Sequence, residues 1–338
     1  PEITYAIMAD RIDCLQLLVT AKANLDLSVV LEYAVKRKTT DALNILINAK
    51  VDVDCAANDN WVGRPTCVKP PLCIAAAEGN LDAATMLLDA KASIDKGDSV
   101  GEAVRGCGIG RDCNAGMLRI LIQAKANVNQ HNPGDGETPV IAAVRGRQKG
   151  MLRMLIAAKA DINKRDDQEC AWPVDVAVGD RNDEMLRILI EAKAEITEDE
   201  EGCWTLIHTV AESGTEAALR ILIAAKADIN KALAECDQCD TPAHLAVEHH
   251  NNNILRILVE AKADMNKVDR SGKTPSTVLA EANKPATAFT IAQCTSNKQP
   301  TAANNKQATT GNSKKPTTRP PGVKTKKRKR DEPVLPWT

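Results

Sequence analysis

Apolar residues recur along this chain in short runs separated by polar stretches, and the runs have helical rather than strand spacing. In the stretch 253–261 the apolar positions are Ile254, Leu255, Ile257 and Leu258. This is the pattern of a helix with one buried face. Upstream, Leu245 and Ala246 sit in a shorter apolar run that opens with Thr241-Pro242. Thr suits a helix N-cap, and Pro suits the first helical position, where no backbone donor is required. The run His249-His250-Asn251-Asn252 separates the two segments. After the second segment, Ala-Asp-Met-Asn leads into a polar connection, 267–273, with Ser271-Gly272 as its turn. The unit predicted is helix, short loop, helix, connection.

The same unit returns along the chain. Each second helix ends in an Ala-Lys-Ala or Ala-Lys-Val core, with lysines at 22, 50, 91, 125, 159, 193, 226 and 262. The intervals are 28, 41, 34, 34, 34, 33 and 36 residues. A period near 34 marks a stacked array, in which no unit buries its apolar face alone. Sixteen residues before the lysine lies the alanine of the first helix: Ala6, Ala34, Ala75, Ala143, Ala177 and Ala246, with Val210 in the seventh unit. The fourth unit has Ile109 there, and its first helix is predicted earlier, over 101–106, followed by a lengthened loop between the helices. A ninth, degenerate unit opens at Thr274-Pro275, with a second helix expected over about 285–293 as a cap.

These residues resemble the ankyrin repeat. Thr138-Pro139-Val140-Ile141-Ala142-Ala143 and Thr241-Pro242-Ala243-His244-Leu245-Ala246 match its opening motif, Thr205-Leu206-Ile207-His208 matches it without Pro, and Trp172-Pro173 and Pro70-Pro71 are looser versions. The resemblance covers roughly 1–293 and implies an all-α repeat solenoid with hairpin connections, about eight repeats and a degenerate cap. It implies protein–protein interaction through the concave surface of hairpins and first helices, and a scaffold or adaptor rather than an enzyme. It also implies that His244 bonds the hairpin backbone. The lysines occupy the slot where the family places Gly, because the backbone turns left-handed there. A non-Gly residue in that conformation costs on the order of 1 kcal/mol, and a cation at a helix C-terminus returns roughly 0.3–1 kcal/mol. Duplication of an ancestral unit accounts for the lysines. The competing reading is a cation ladder for an acidic partner, which Asp161, Asp228 and Asp264 dilute.

Composition agrees with thin helical layers: the 338 residues include only 1 Phe, 2 Tyr and 4 Trp. Charge is divided. Residues 295–338 carry 11 basic and 2 acidic residues, while the remainder has a net charge of −10. An acidic body favours a partner with a basic contact region. The segment 294–338, rich in Lys, Thr, Pro, Asn and Gln, is expected to be disordered. Within it, Lys314-Lys315, ten residues, then Lys326-Lys327-Arg328-Lys329-Arg330 resemble a bipartite nuclear localisation signal read by an import receptor. Nuclear residence is therefore expected, with the cytoplasm otherwise. Contact between this tail and nucleic acid is the less favoured reading.

The eleven cysteines show no small-domain disulfide framework, so free thiols are expected, with Cys73 buried and inert. Cys236 and Cys239 form a lone CxxC that lacks a second ligand pair of zinc-finger spacing, so no metal or cofactor is expected. Gly106-Cys107-Gly108-Ile109-Gly110 lacks the strand and the Lys-Ser/Thr of a phosphate loop and reads as an inter-helix insertion. No triad or supported carboxylate pair appears. No apolar run of 18 residues occurs, so no membrane contact is expected. The chain begins at Pro1 inside a repeat, so an upstream segment is expected, and regulatory membership of a larger ligase adaptor, kinase or channel is an alternative. The candidate partner contacts, on the concave surface of connections and first helices, are Trp61, in the enlarged 55–69 connection, and Arg145, Arg147 and Arg181.

Overall fold

The computed structural model describes residues 9, 11–21, 27–54, 69–106, 108–110, 114–168, 171–196, 205–233 and 240–281. Within them sixteen helices form two layers. The first-helix layer consists of α2 (Leu27–Arg37), α4 (Pro71–Ala77), α6 (Ser99–Arg105), α8 (Pro139–Arg145), α10 (Pro173–Gly179), α12 (Leu206–Ser213), α14 (Pro242–Glu248) and α16 (Pro275–Glu281). The second-helix layer consists of α1 (Ile12–Thr20), α3 (Thr40–Asn48), α5 (Leu81–Asp89), α7 (Ala115–Gln123), α9 (Lys149–Ala157), α11 (Asp183–Glu191), α13 (Glu216–Ala224) and α15 (Asn252–Glu260). Each first helix from α2 to α14 packs on its own second helix, and each layer packs helix on helix along the chain. All sixteen belong to one compact unit, Pro1–Asn297. The expected cap helix at 285–293 lies outside the described residues.

The second helices repeat one burial rule. Three residues at spacing i, i+1, i+4 are buried: Met117, Leu118, Leu121, then Met151, Leu152, Leu155, then Ala218, Leu219, Leu222. That stripe faces the neighbouring units, and burying each Leu contributes roughly 1.5–3 kcal/mol. The first helices start as their sequences require. Pro71, Pro139, Pro173 and Pro242 each occupy the first turn. Thr241 and His244 form a capping box, as do Thr205 and His208. The other ring nitrogen of each histidine reaches a connection backbone: His244 Nε2 lies 3.1 Å from the Lys273 carbonyl, and His208 Nε2 lies 3.1 Å from that of Lys231. The hairpin bond expected of His244 is therefore present.

The repeated lysine has the conformation its register predicts. Lys50, Lys91, Lys125, Lys159, Lys193, Lys226 and Lys262 all have φ between 57° and 67°, and Lys22 lies outside the described residues. At each, the helix closes with the bond pattern seen at Lys159: its N–H donates to the Ile156 carbonyl at 3.0 Å, and the Ala160 N–H to that of Leu155 at 2.9 Å. Relief of left-handed strain and loss of the C-terminal cation oppose each other. Lys159→Gly is expected to raise stability by up to about 1 kcal/mol, whereas Lys159→Ala keeps the strain, loses the cation and lowers it. Urea midpoints in the order Gly, wild type, Ala check this; Gly below wild type contradicts it.

The polar residues after the lysine join successive units. Asp161 Oδ1 accepts from the Asn163 N–H at 2.9 Å, closing a local turn. Asn129 Oδ1 accepts from the Asp161 N–H, one unit on, at 2.7 Å. The same hook joins Asn163 to Glu195 and Asn230 to Asp264. A second series runs at the starts of the second helices. Asn80, Asn114, Gln148 and Asn251 donate side-chain N–H groups to carbonyls of the preceding unit's first helix: Val35, Ala76, Val104 and Ala211. The series breaks at buried Asn182, whose Nδ2 has no partner. Such a group costs about 1–3 kcal/mol.

Among the described residues the hairpin connections close as turns, without strand ladders. Between α7 and α8 the Asn132 N–H donates to the Glu137 carbonyl and the Gly136 N–H to that of Asn132, each at 2.9 Å. Polar turn residues there satisfy their backbones through side chains, as Asn132 Oδ1 does for the Gly134 N–H. Fewer residues are then left for a strand ladder. In the fourth unit, α6 ends at Arg105 and α7 begins at Ala115, confirming the insertion between helices.

Candidate interaction surface on the first-helix layer

Charged residues of four successive units converge at the first helices. Asp98 precedes α6 and is its N-cap: Oδ1 accepts from the Gly101 N–H at 2.7 Å. Its other oxygen meets Arg105 Nη2 at 2.6 Å, one helix length away. Glu102 lies between them on the same helix, 3.4 Å from Arg105 and 2.8 Å from Lys69 Nζ. Arg105 also reaches Glu137 of the next unit at 3.3 Å. Glu137 in turn lies 3.5 Å from Arg145, which lies 3.9 Å from Asp166. The result is a continuous chain, Lys69–Glu102–Arg105–Glu137–Arg145–Asp166, with Asp98 bound to Arg105.

Burial is uneven along this chain. Asp98, Glu102, Glu137 and Asp166 are buried, whereas the Lys69 and Arg145 side chains are 48% and 41% exposed. The carboxylates thus form the floor, and cations cover part of it. Burial pushes the Asp98 and Glu137 carboxyls above their ordinary values, against the pull of Arg105 and, for Glu137, Arg145. Burial lowers the Arg105 guanidinium, but Asp98 and Glu102 outweigh this and raise it, so it stays charged. The sign for stability follows from the raised carboxyls. Their contribution is greatest in acid, below the ordinary values of 3.8 and 4.5, and is lost as pH rises through the raised values. Relative to Glu137→Gln, the wild-type protein is expected to lose urea stability as pH rises from about 4.5. Parallel profiles for the two proteins contradict this.

Beneath the network, burial first, then Glu102 and Asp98, push the Cys73 thiol up to about 12. A thiol so protonated is a poor nucleophile, which agrees with the inert role expected for it. Gly97, at φ 91°, passes so close that a Cβ there would lie 2.9 Å from Cys73 Sγ.

Of the expected contact residues, Arg145, Arg147 and Arg181 are described, and Arg147 reaches the residue before Arg181. Arg145 lies in the network. Arg147 and Arg181, at φ 53° and 50°, lie in the turns that follow α8 and α10. The physical reason is that α8 and α10 end at Arg145 and Gly179, two residues earlier, so both arginines occupy the left-handed turn into the next helix. Arg147 Nη2 donates to the Asp180 carbonyl at 3.1 Å. Trp61, Cys236, Cys239 and the basic residues Lys314, Lys315, Lys326, Lys327, Arg328, Lys329 and Arg330 lie outside the described residues. Arg105 was not singled out from the sequence, although it stands two residues after Ala103, the register in which Arg145 follows Ala143.

Asp240, His244 and Asp269 place one ligand atom each within 4.8 Å of one another. The cluster is structural. His244 Nδ1 faces Thr241 and Nε2 faces the Lys273 carbonyl, while Asp269 accepts the Lys273 N–H at 2.8 Å. Neither ring nitrogen is left for a cation. No described helix is long and apolar enough to cross a membrane.

The family model for ankyrin repeats in three copies matches the chain over two stretches, residues 109–200 and 174–269. No curated protein matches the chain. Ankyrin repeats are generally protein–protein interaction modules. With helix pairs of one register stacked from α2 to α16 and the profile falling on the units around Lys125 to Lys262, the chain is an ankyrin-repeat protein.

Proposed function

We propose that this protein is a scaffold or adaptor that binds a partner protein through its first-helix layer and the adjoining connections. The observation that supports the reading most is the charged network: four buried carboxylates lie beneath two half-exposed cations across neighbouring units. Such a surface offers fixed charges and no nucleophile, the requirement of recognition rather than turnover. Carboxylates outnumber cations in the network, which favours a partner with a basic contact region. Lys69→Gln together with Arg145→Gln leaves the buried Asp98–Arg105 pair in place. The double variant is expected to change the affinity of a partner isolated with the wild-type chain by at least 10-fold. Unchanged affinity overturns this placement of the interface.

The basic tail supports nuclear residence by binding an import receptor through Lys314, Lys315 and Lys326 to Arg330. A reporter carrying residues 310–338 is expected to accumulate in nuclei, and alanine at 326–330 to abolish this. Equal distribution of the two reporters contradicts the proposal.

A further inference from the structure

The second-helix layer carries a charge pattern that the proposed partner interface does not use. Every left-handed lysine described is exposed, and none of their side-chain ammonium groups has a carboxylate or hydrogen-bond partner among the described residues. Six residues before the lysine, five successive units place an exposed arginine. In the units ending at Lys125, Lys159 and Lys226, these are Arg119, Arg153 and Arg220. There the position four residues after the arginine, which shares its helix face, is Gln123, Ala157 or Ala224. No acid stands three or four residues from Arg119 or Arg153 on its own helix, whereas Glu216, one turn before Arg220, accepts from Asn253 Nδ2 of the next unit at 2.6 Å. The acids that follow the lysines are turned to their own backbones: Asp161 and Asp228 accept from the Asn163 and Asn230 N–H groups, each at 2.9 Å.

The geometry sets the spacing of these charges. Six residues of helix separate arginine from lysine by roughly 9 Å. Adjacent second helices lie side by side at roughly 8–10 Å. The layer therefore presents cations in two rows that run from unit to unit. A lysine is a point charge that accepts a phosphate from many directions, and it needs no fixed fork geometry. The second helices contain no Phe, Tyr or Trp, so no platform for base stacking exists there. A ligand must then present its charges on the outside at regular intervals without offering bases. Duplex nucleic acid does so, with a charge every 1.7 Å or so along its axis.

We propose that the second-helix layer binds duplex nucleic acid through its phosphate backbone, without sequence preference, at Arg119, Lys125, Arg153, Lys159, Arg220 and Lys226. This face is separate from the proposed protein interface, and either proposal survives failure of the other.

The left-handed backbone allows a test in which charge is removed without adding strain. The full-length chain carrying Lys125→Gly, Lys159→Gly and Lys226→Gly places Gly where Gly is favoured. Fluorescence anisotropy with a short mixed-sequence DNA duplex is measured at roughly 50 to 200 mM salt. Wild type is expected to bind with a steep salt dependence. The triple variant, with a melting temperature at or above wild type, is expected to bind at least 10-fold more weakly. Its log–log salt slope should be shallower by about 3, one per lost contact. If the glycine variant melts below wild type, Arg119→Gln, Arg153→Gln and Arg220→Gln supply the same test on the exposed helix face. A full-length variant with alanine at 326–330 separates the tail's contribution, and it is expected to keep the slope difference between the two forms. Absence of salt-dependent binding, unchanged binding in the folded glycine or glutamine variant, or loss of all binding with the tail substitutions alone overturns the proposal.

Discussion

Asp98→Ala is expected to destabilise the array by about 3–5 kcal/mol, the usual cost of breaking a buried ion pair by removing one partner. One carboxylate does two jobs here. It caps α6 through the Gly101 N–H and holds Arg105 at 2.6 Å. Its loss leaves Arg105 facing Glu102 and Glu137 without its shortest contact, and opens the first turn of α6. Asp98→Asn keeps a capping oxygen and removes the charge, so its loss is expected to be smaller. Urea melts of both variants check the order. Equal stability of Asp98→Ala and wild type would show that the network contributes nothing.

Leu155→Ala has the other large expected effect, about 2–5 kcal/mol. Leu155 is fully buried in α9, a central second helix. The cavity sits between neighbours on both sides, and each unit is stable only through them. The loss should therefore appear as a change in cooperativity as well as in midpoint. Unfolding of the variant is expected to separate into two phases, one for units on each side of α9. The junction after α9 is already weakened, because Asn182 does not complete the link that Asn114 and Gln148 make. A single transition shifted by less than about 1 kcal/mol contradicts this reading.

Most of the architecture was legible because it is local. The lysine register predicted seven left-handed residues, and the Thr-Pro-x-His motif predicted both a cap and a histidine bond to the following connection. The fourth unit's insertion was visible from the alanine count alone. What the sequence concealed were contacts between units. Asn129 and Asn163, at the starts of polar connections, accept from N–H groups 32 residues further on. No local pattern shows a partner at that distance. Asn80, Asn114, Gln148 and Asn251 share a role while varying in length or flanks, so their register was not apparent. The candidate surface was legible only at Arg145. Asp98, Glu102 and Glu137 read as ordinary loop and helix acids until stacking placed Arg105 and Arg145 among them. The turn positions of Arg147 and Arg181 follow from where two short helices stop, a boundary that sequence periodicity locates only to within a few residues.

Recognition through the first-helix layer is tested most directly by hydrogen exchange on the full-length chain, with and without an isolated protein partner. The account predicts added protection of backbone N–H groups in α6, α8 and the 127–138 connection, with α7, α9 and α13 unchanged. Protection confined to α7, α9 and α13 would contradict it.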